Sequence, residues 1–392
     1  MVLNILFSTK WVELNDENRK ALDEYKYQGG DNGIWYKYFH SPLAELIASW
    51  MPMWLAPNVI TLIAAMFLVI PHILTAILYG ISFEGPVDSW ITVIYAITQF
   101  CYFTLDNVDG KQARRTGSSS PLGQMFDHGC DAITFNLCLM TTWRYIQLGS
   151  GYLNFFFITF GPIGYFMYNL KEYYMGEYYL QFINPISEGS IIGLAVVMYW
   201  AYIGWESVRE PWISGYSFTQ VYCLLIILSQ IYQNIEMFFE IILSKKYEMP
   251  FKKSKFISDF SSFAIFYILC VLLAFYSPND YVNDKVDGGR GILYIMIFGN
   301  SYIVLQLMIG HLGKKNFEPY KSVSFVFSIV LISIFVILWK LYPENMKPIE
   351  GYFLYSLGGY LTISSLNCFV SIVHQMESHL KIKAFKIKPK QN

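Results

Sequence analysis

The sequence predicts an all-α, polytopic integral membrane bundle of about ten transmembrane helices with an N-terminal interfacial amphipathic helix. Three observations carry this. Of 392 residues, 54% are hydrophobic and only 15% charged, too oily for a soluble domain. The apolar residues gather into runs of roughly 18 or more, the length that crosses about 30 Å of hydrocarbon. Lys and Arg alternate between rich and poor loops.

In chain order, residues 1–56 form an N-terminal segment that ends in the interfacial helix. After Ser41-Pro42, a helix start, Leu43, Leu46, Ile47 and Trp50 recur on one face, so this helix either lies in the membrane interface or packs on the bundle. Ten spans follow at 58–80, 89–107, 124–147, 151–170, 187–206, 217–243, 257–276, 290–310, 321–341 and 352–375, within a single membrane domain at 57–376. An even count puts both termini on one side. The N-terminal segment, alternate loops and the tail at 377–392 then hold 22 of the 28 Lys and Arg, which marks that side as cytoplasmic. Lys381, Lys383, Lys386, Lys388 and Lys390 of the tail either attract anionic lipid or only set topology.

No cleavable signal peptide is expected, because the first apolar stretch is short and a charged segment from Glu13 to Lys26 follows it. All six cysteines sit in or beside apolar runs, which argues against disulfides or a zinc site. A net charge of −1 gives no basic surface for nucleic acid.

The chemistry concentrates between Asp106 and Asp131, DNVDGKQARRTGSSSPLGQMFDHGCD. Asp106 and Asp109 are three apart, Asp127 and Asp131 four apart, each pair at the cytoplasmic end of an apolar helix. Packed together, the helices bring four carboxylates to one place, and carboxylates near a membrane mark function. Clustered hard oxygens suit Mg²⁺ or Mn²⁺ shared with substrate phosphates. Gly110, Ala113 and Gly123 leave room for a nucleotide or a neighbouring backbone, and Arg114 offers directed donors to phosphate.

This stretch resembles the signature of the CDP-alcohol phosphotransferases, D-x2-D-G-x2-A-R-x8-G-x3-D-x3-D, and every fixed position is met. The resemblance implies that Asp106, Asp109 and Asp127 ligate metal, with two ions expected. It makes Asp131 a ligand or the base that activates the acceptor hydroxyl. Asp106, Gly110, Ala113, Arg114 and Gly123 would shape the CDP site. YKY at Tyr25 to Tyr27, WLAPNVIT from Trp54, KEYYMGEYYL from Lys171, NPISEG from Asn184 and ESHL from Glu377 are similar to the eukaryotic choline and ethanolamine phosphotransferase branch. That branch implies CDP-choline or CDP-ethanolamine as donor, diacylglycerol as acceptor, an endoplasmic reticulum or Golgi membrane with the active site facing the cytosol, and a homodimer.

His128 shares a helical face with Asp131 and either takes the hydroxyl proton or orients an aspartate, Asp131 being the competing base. Glu188 opens the fifth span on the aspartates' side, where it either faces the catalytic cavity or favours a helix N-terminus; the resemblance points it toward the CDP site. Lys171 and Glu172 are expected as a solvated pair, Asn58 as the cap of the first span, and His72 as a hydrogen-bonded core residue at a Pro71 kink. Two alternatives remain: a phosphotransferase for another head group, and a polytopic transporter with a cytoplasmic-face metal site. A transporter would show midplane charges and paired half-repeats, whereas these aspartates cluster at one face.

Overall fold

The structure, a computed structural model, describes residues 6–182, 184 and 186–387, so Pro185, Lys388 and Lys390 lie outside the described residues. Among the described residues the helices are α1 (Asp16–Glu24), α2 (Ser41–Trp50), α3 (Pro57–Tyr79), α4 (Ser89–Thr116), α5 (Pro121–Tyr145), α6 (Tyr152–Met175), α7 (Ser187–Ile203), α8 (Phe218–Leu243), α9 (Lys253–Tyr276), α10 (Arg290–Leu312), α11 (Val323–Leu341) and α12 (Pro343–Leu380). Sheet is confined to a short parallel pair, β1 (Gly29–Asp31) with β2 (Tyr178–Leu180), and a hairpin of β3 (Pro211–Ile213) and β4 (Tyr216–Ser217).

Each of the ten expected spans falls on a helix, from α3 to α12. Among the described residues six of these, α3 and α8 to α12, are long and apolar enough by length and composition to cross a membrane. α7 is apolar but only 17 residues long. α4 and α5 dilute their apolarity with polar side chains that bond one another inside the protein. Gln99 donates to Tyr95 at 2.9 Å and to Thr142 at 2.8 Å, and Tyr95 and Thr142 lie 2.7 Å apart. His72 is buried and meets Thr141 at 2.8 Å, as expected of a core histidine beside Pro71. Such groups are tolerated at depth because they satisfy one another.

The chain divides into two compact units. The first comprises Asp23–Leu148, Glu177–Tyr232 and Val373–Asn392. In it α3 packs on α4 and α5, while α2 and α7 lie on α4. Small residues allow the close approach: Ala44, Ala48, Ile60 and Val108 form one buried cluster, and Ala64, Leu68, Tyr102 and Cys138 another. The interfacial helix α2 thus buries Ala44 and Ala48 and leaves Leu46 and Trp50 exposed, 49% and 72%, which suits a helix that packs on protein and dips into lipid.

The second unit comprises Met1–Leu22, Gly149–Gly176 and Gln233–Ile372. Its centre is α10, in which every residue but Tyr294 is buried. A Cβ at Gly299 would overlap the Phe266 ring, so glycine there lets α9 lie close to α10. Lys171 and Glu172 sit here and correct the expectation of a solvated pair. Successive helical residues point about 100° apart, so the two side chains take different partners. Lys171 binds Glu240 at 2.5 Å, whereas Glu172 is 2% exposed with its Oε1 3.7 Å from His311 Nε2. Tyr174 beside them donates to Asp259 Oδ2 at 2.6 Å.

Candidate active site

The signature stretch folds as two antiparallel helices joined by a tight turn. Gly117, at φ 66°, ends α4, with Ser118 N–H returning to Ala113 O at 2.9 Å. Ser120 caps α5 by accepting from Gly123 N–H at 3.1 Å, and Pro121 occupies the first helical turn. α4 runs on to Thr116, well past the 107 expected as the end of its span, so all four aspartates lie within helices of fixed register.

Asp106, Asp127 and Asp131 each bring one carboxylate oxygen within 4.8 Å of the others. Asp127 Oδ1 is buried without a hydrogen-bond partner among the described residues. Tyr102, one turn before Asp106, donates to Asp131 Oδ1 at 2.7 Å. Asp109 lies outside this triad: it is buried, and the Thr61 hydroxyl of α3 donates to its Oδ2. The four carboxylates still repel one another. Three like charges with an orphaned oxygen between two helices fit a hard divalent cation, which supplies the missing positive partner.

The smaller signature residues make space. The Arg114 guanidinium leans over Gly110, its Nη1 3.6 Å from where a Cβ would stand, and the arginine is exposed. Gly123 faces the Asn58 amide, whose oxygen would lie 3.9 Å from a Cβ there. Asn58 therefore does not cap α3 as expected. The cap is Ala56, without a side-chain bond, and Asn58 is buried against α5. Ala113 is half-buried on α4.

The positions between the fixed residues anchor α2 and the turn after it. Lys111 donates to Ser41 Oγ and Glu45 Oε1, both at 2.9 Å, and Gln112 to the carbonyls of Pro52 at 2.9 Å and Leu55 at 3.2 Å. Arg115 donates to the carbonyls of Ala48 at 2.9 Å and Met51 at 2.6 Å.

His128 meets two tyrosines, with ring centroids 4.9 Å from Tyr178 and 6.5 Å from Tyr27. Glu188 takes two backbone donors, Trp35 N–H at 3.1 Å on Oε1 and Asn184 N–H at 3.0 Å on Oε2. Beside it Asp31 accepts from the Ser187 hydroxyl, Gly33 N–H at 2.7 Å and Asn184 Nδ2 at 3.2 Å. Burial pushes the Asp31 carboxyl above its ordinary range and the Glu188 charge adds to this, against the pull of those hydrogen bonds.

Sequence reasoning missed Thr61 and Tyr102 as partners of the aspartates, and Asp31 altogether. Thr61 ends WLAPNVIT, and Tyr102 precedes Asp106 by four residues, a spacing that puts a hydroxyl on the aspartate's face.

Fold and site together define a polytopic membrane protein with a carboxylate cluster, fit for a cation, set within two neighbouring helices. A family model described as CDP-alcohol phosphatidyltransferase matches residues 54–244, which contain the whole centre. The chain is 26% identical to choline/ethanolaminephosphotransferase 2 of Arabidopsis thaliana, over 95% of this chain and 97% of the relative. It is 25% identical to ethanolaminephosphotransferase 1 of Mus musculus, over 96% and 94%, and 25% identical to choline/ethanolaminephosphotransferase 1 of Saccharomyces cerevisiae, over 95% and 97%. Residues 54–244 form a CDP-alcohol phosphotransferase family domain, and the chain is a membrane phosphotransferase.

Proposed function

We propose that the protein transfers phosphocholine or phosphoethanolamine from CDP-choline or CDP-ethanolamine to the hydroxyl of diacylglycerol, releasing CMP and leaving phosphatidylcholine or phosphatidylethanolamine in the membrane. The observation that carries this reading is the Asp106, Asp127 and Asp131 triad with the orphaned Asp127 oxygen. These three residues would hold one Mg²⁺ or Mn²⁺, and Asp109 would contribute to a second. Ions held there would neutralise the diphosphate and supply charge stabilisation for an in-line displacement.

The chain's own residues do the rest. Tyr102 and Thr61 hold Asp131 and Asp109 in fixed orientations, which lowers the cost of arranging them around a substrate. Arg114, exposed above Gly110, meets a phosphate oxygen with charge and directed donors. The acceptor hydroxyl oxygen forms a bond to the β-phosphorus as the bond from that phosphorus to the bridging oxygen breaks, and CMP departs with that oxygen. His128 takes the hydroxyl proton. Asp131 is the weaker candidate, because a carboxylate engaged by Tyr102 and by a cation is a poor base. The excess of Lys and Arg on one side supports a cytosolic active site; an endoplasmic reticulum or Golgi membrane and a homodimer are what the family resemblance implies.

Purified protein in lipid nanodiscs, given labelled CDP-choline or CDP-ethanolamine and diacylglycerol, tests this. Label in lipid with equimolar CMP is the expected result. Label accumulating inside vesicles with none in lipid would mean transport, and transfer from some other CDP-alcohol alone would overturn the head-group assignment.

A further inference from the structure

We propose that Tyr27 and Tyr178 are positioning residues that fix the His128 imidazole beside the aspartate triad, held in register by the pairing of β1 with β2. The proposal rests on reading His128 as the proton acceptor.

His128 projects from α5, one residue after Asp127, and is half-buried. Two rings pack against its imidazole. Tyr27 approaches edge-on, at 79° between planes, and Tyr178 lies closer in a tilted contact at 46°. Aromatic contacts of this geometry are directional. The two tyrosines are distant in sequence, and the strand pair is what brings them to one imidazole. Gly29 pairs with Tyr178, Gly30 with Tyr179 and Asp31 with Leu180, and Tyr178 N–H donates to Gln28 O at 2.9 Å. A Cβ at Gly29 would overlap the Tyr27 hydroxyl and the Tyr178 carbonyl, so glycine is required for the Tyr27 ring to fold back over the strand.

A two-stranded pair of three residues each is not stable alone, and both of its ends are tied down. Upstream, the Tyr25 hydroxyl donates to Gln124, one turn before His128 on α5. Downstream, Asp31 is fastened to the start of α7 through Ser187 and Asn184, and Glu188 takes the Trp35 amide. At Gly33 a Cβ would press on Asp31, Glu188 and Asn184 at once, at 2.9 to 3.0 Å. The segment from Tyr25 to Trp35 is thus a strap from the catalytic helix to α7, and Glu188, read from sequence as a cavity residue, is one of its fasteners.

The test is steady-state kinetics of the full-length protein in nanodiscs, with each variant's melting checked. Tyr178→Leu and Tyr27→Leu should lower kcat by about tenfold to a hundredfold, the scale of a misplaced catalytic group, with KM for the CDP-alcohol little changed. Tyr178→Phe and Tyr27→Phe should restore most of the rate, since each keeps the ring that packs on His128. Gly29→Ala, which displaces Tyr27 without altering a ring, should also lower kcat. In a His128→Ala background the Leu changes should cost nothing further. Additive losses in that background, or a rise in KM at unchanged kcat, would overturn the positioning role while leaving His128 as base. A His128→Ala enzyme of near-normal kcat would instead remove the base reading and the proposal with it.

Discussion

Tyr102 and Asp131 join the two helices of the aspartate signature: the phenol of α4 donates to Asp131 Oδ1 of α5 at 2.7 Å, one turn from Asp106 on its own helix. One face of α4 therefore supplies both a triad carboxylate and the donor that orients another. Removing that donor leaves the triad's charge intact but frees one member to rotate. Tyr102→Phe should raise the Mg²⁺ or Mn²⁺ concentration for half-maximal activity by about 10- to 100-fold, the usual cost of losing a ligand's hydrogen-bond partner. At saturating metal most of the activity should return. Unchanged metal dependence would show that Asp131 does not act through a bound cation.

The triad itself admits a harsher test. Asp106→Ala and Asp127→Ala should each abolish transfer without unfolding the protein, because each removes a third of the clustered carboxylates while relieving their mutual repulsion. Chelator should silence the wild type, Mg²⁺ or Mn²⁺ should restore it, and Ca²⁺, which wants more and longer bonds, should fail. Full turnover in excess chelator would refute the cation assignment.

Those two outcomes bear on the part of the protein most legible in its sequence. Apolar runs located ten helices, and the spacing of the aspartates located the carboxylate cluster, since both depend on local periodicity. The division of labour among the aspartates was not legible. Residues three apart on a helix differ by about 60° in direction, enough to send Asp106 to the triad and Asp109 to Thr61. The same geometry separated Lys171 from Glu172. Asn58 looked like a cap because it follows Pro57, but its face is set by where α5 packs. Contacts such as Tyr27 with His128 depend on strand pairing across distant segments, which no local pattern encodes.

Glu172 and His311 lie together in the second unit, both nearly inaccessible, with Glu248 3.8 Å from the other imidazole nitrogen. A buried polar group that loses its partner costs about 1–3 kcal/mol. Glu172→Ala should therefore lower thermal stability in detergent by that order. Whatever turnover remains should show an unchanged metal requirement and KM. A variant as stable as wild type but catalytically dead would mean that Glu172 takes part in the reaction.

The last prediction separates the two candidate bases. His128 and Asp131 are one helical turn apart, so both can reach a hydroxyl at the triad. They differ in how they are engaged. Asp131 already accepts from Tyr102, which weakens it as a proton acceptor, and it would be drawn further to a cation held by the triad, whereas His128 is set among aromatic rings. His128→Ala should therefore reduce kcat by about 10² to 10⁴, the range for loss of a general base, while CDP-alcohol binding is largely spared. Loss of a metal ligand would behave differently, because Asp131→Asn should shift metal affinity together with rate. If His128 is the base, imidazole added to the His128→Ala enzyme should recover part of the lost turnover, since the substitution vacates space next to Tyr178. A His128→Ala enzyme that keeps near-normal kcat at saturating metal would hand the role to Asp131, with His128 then serving only to orient it.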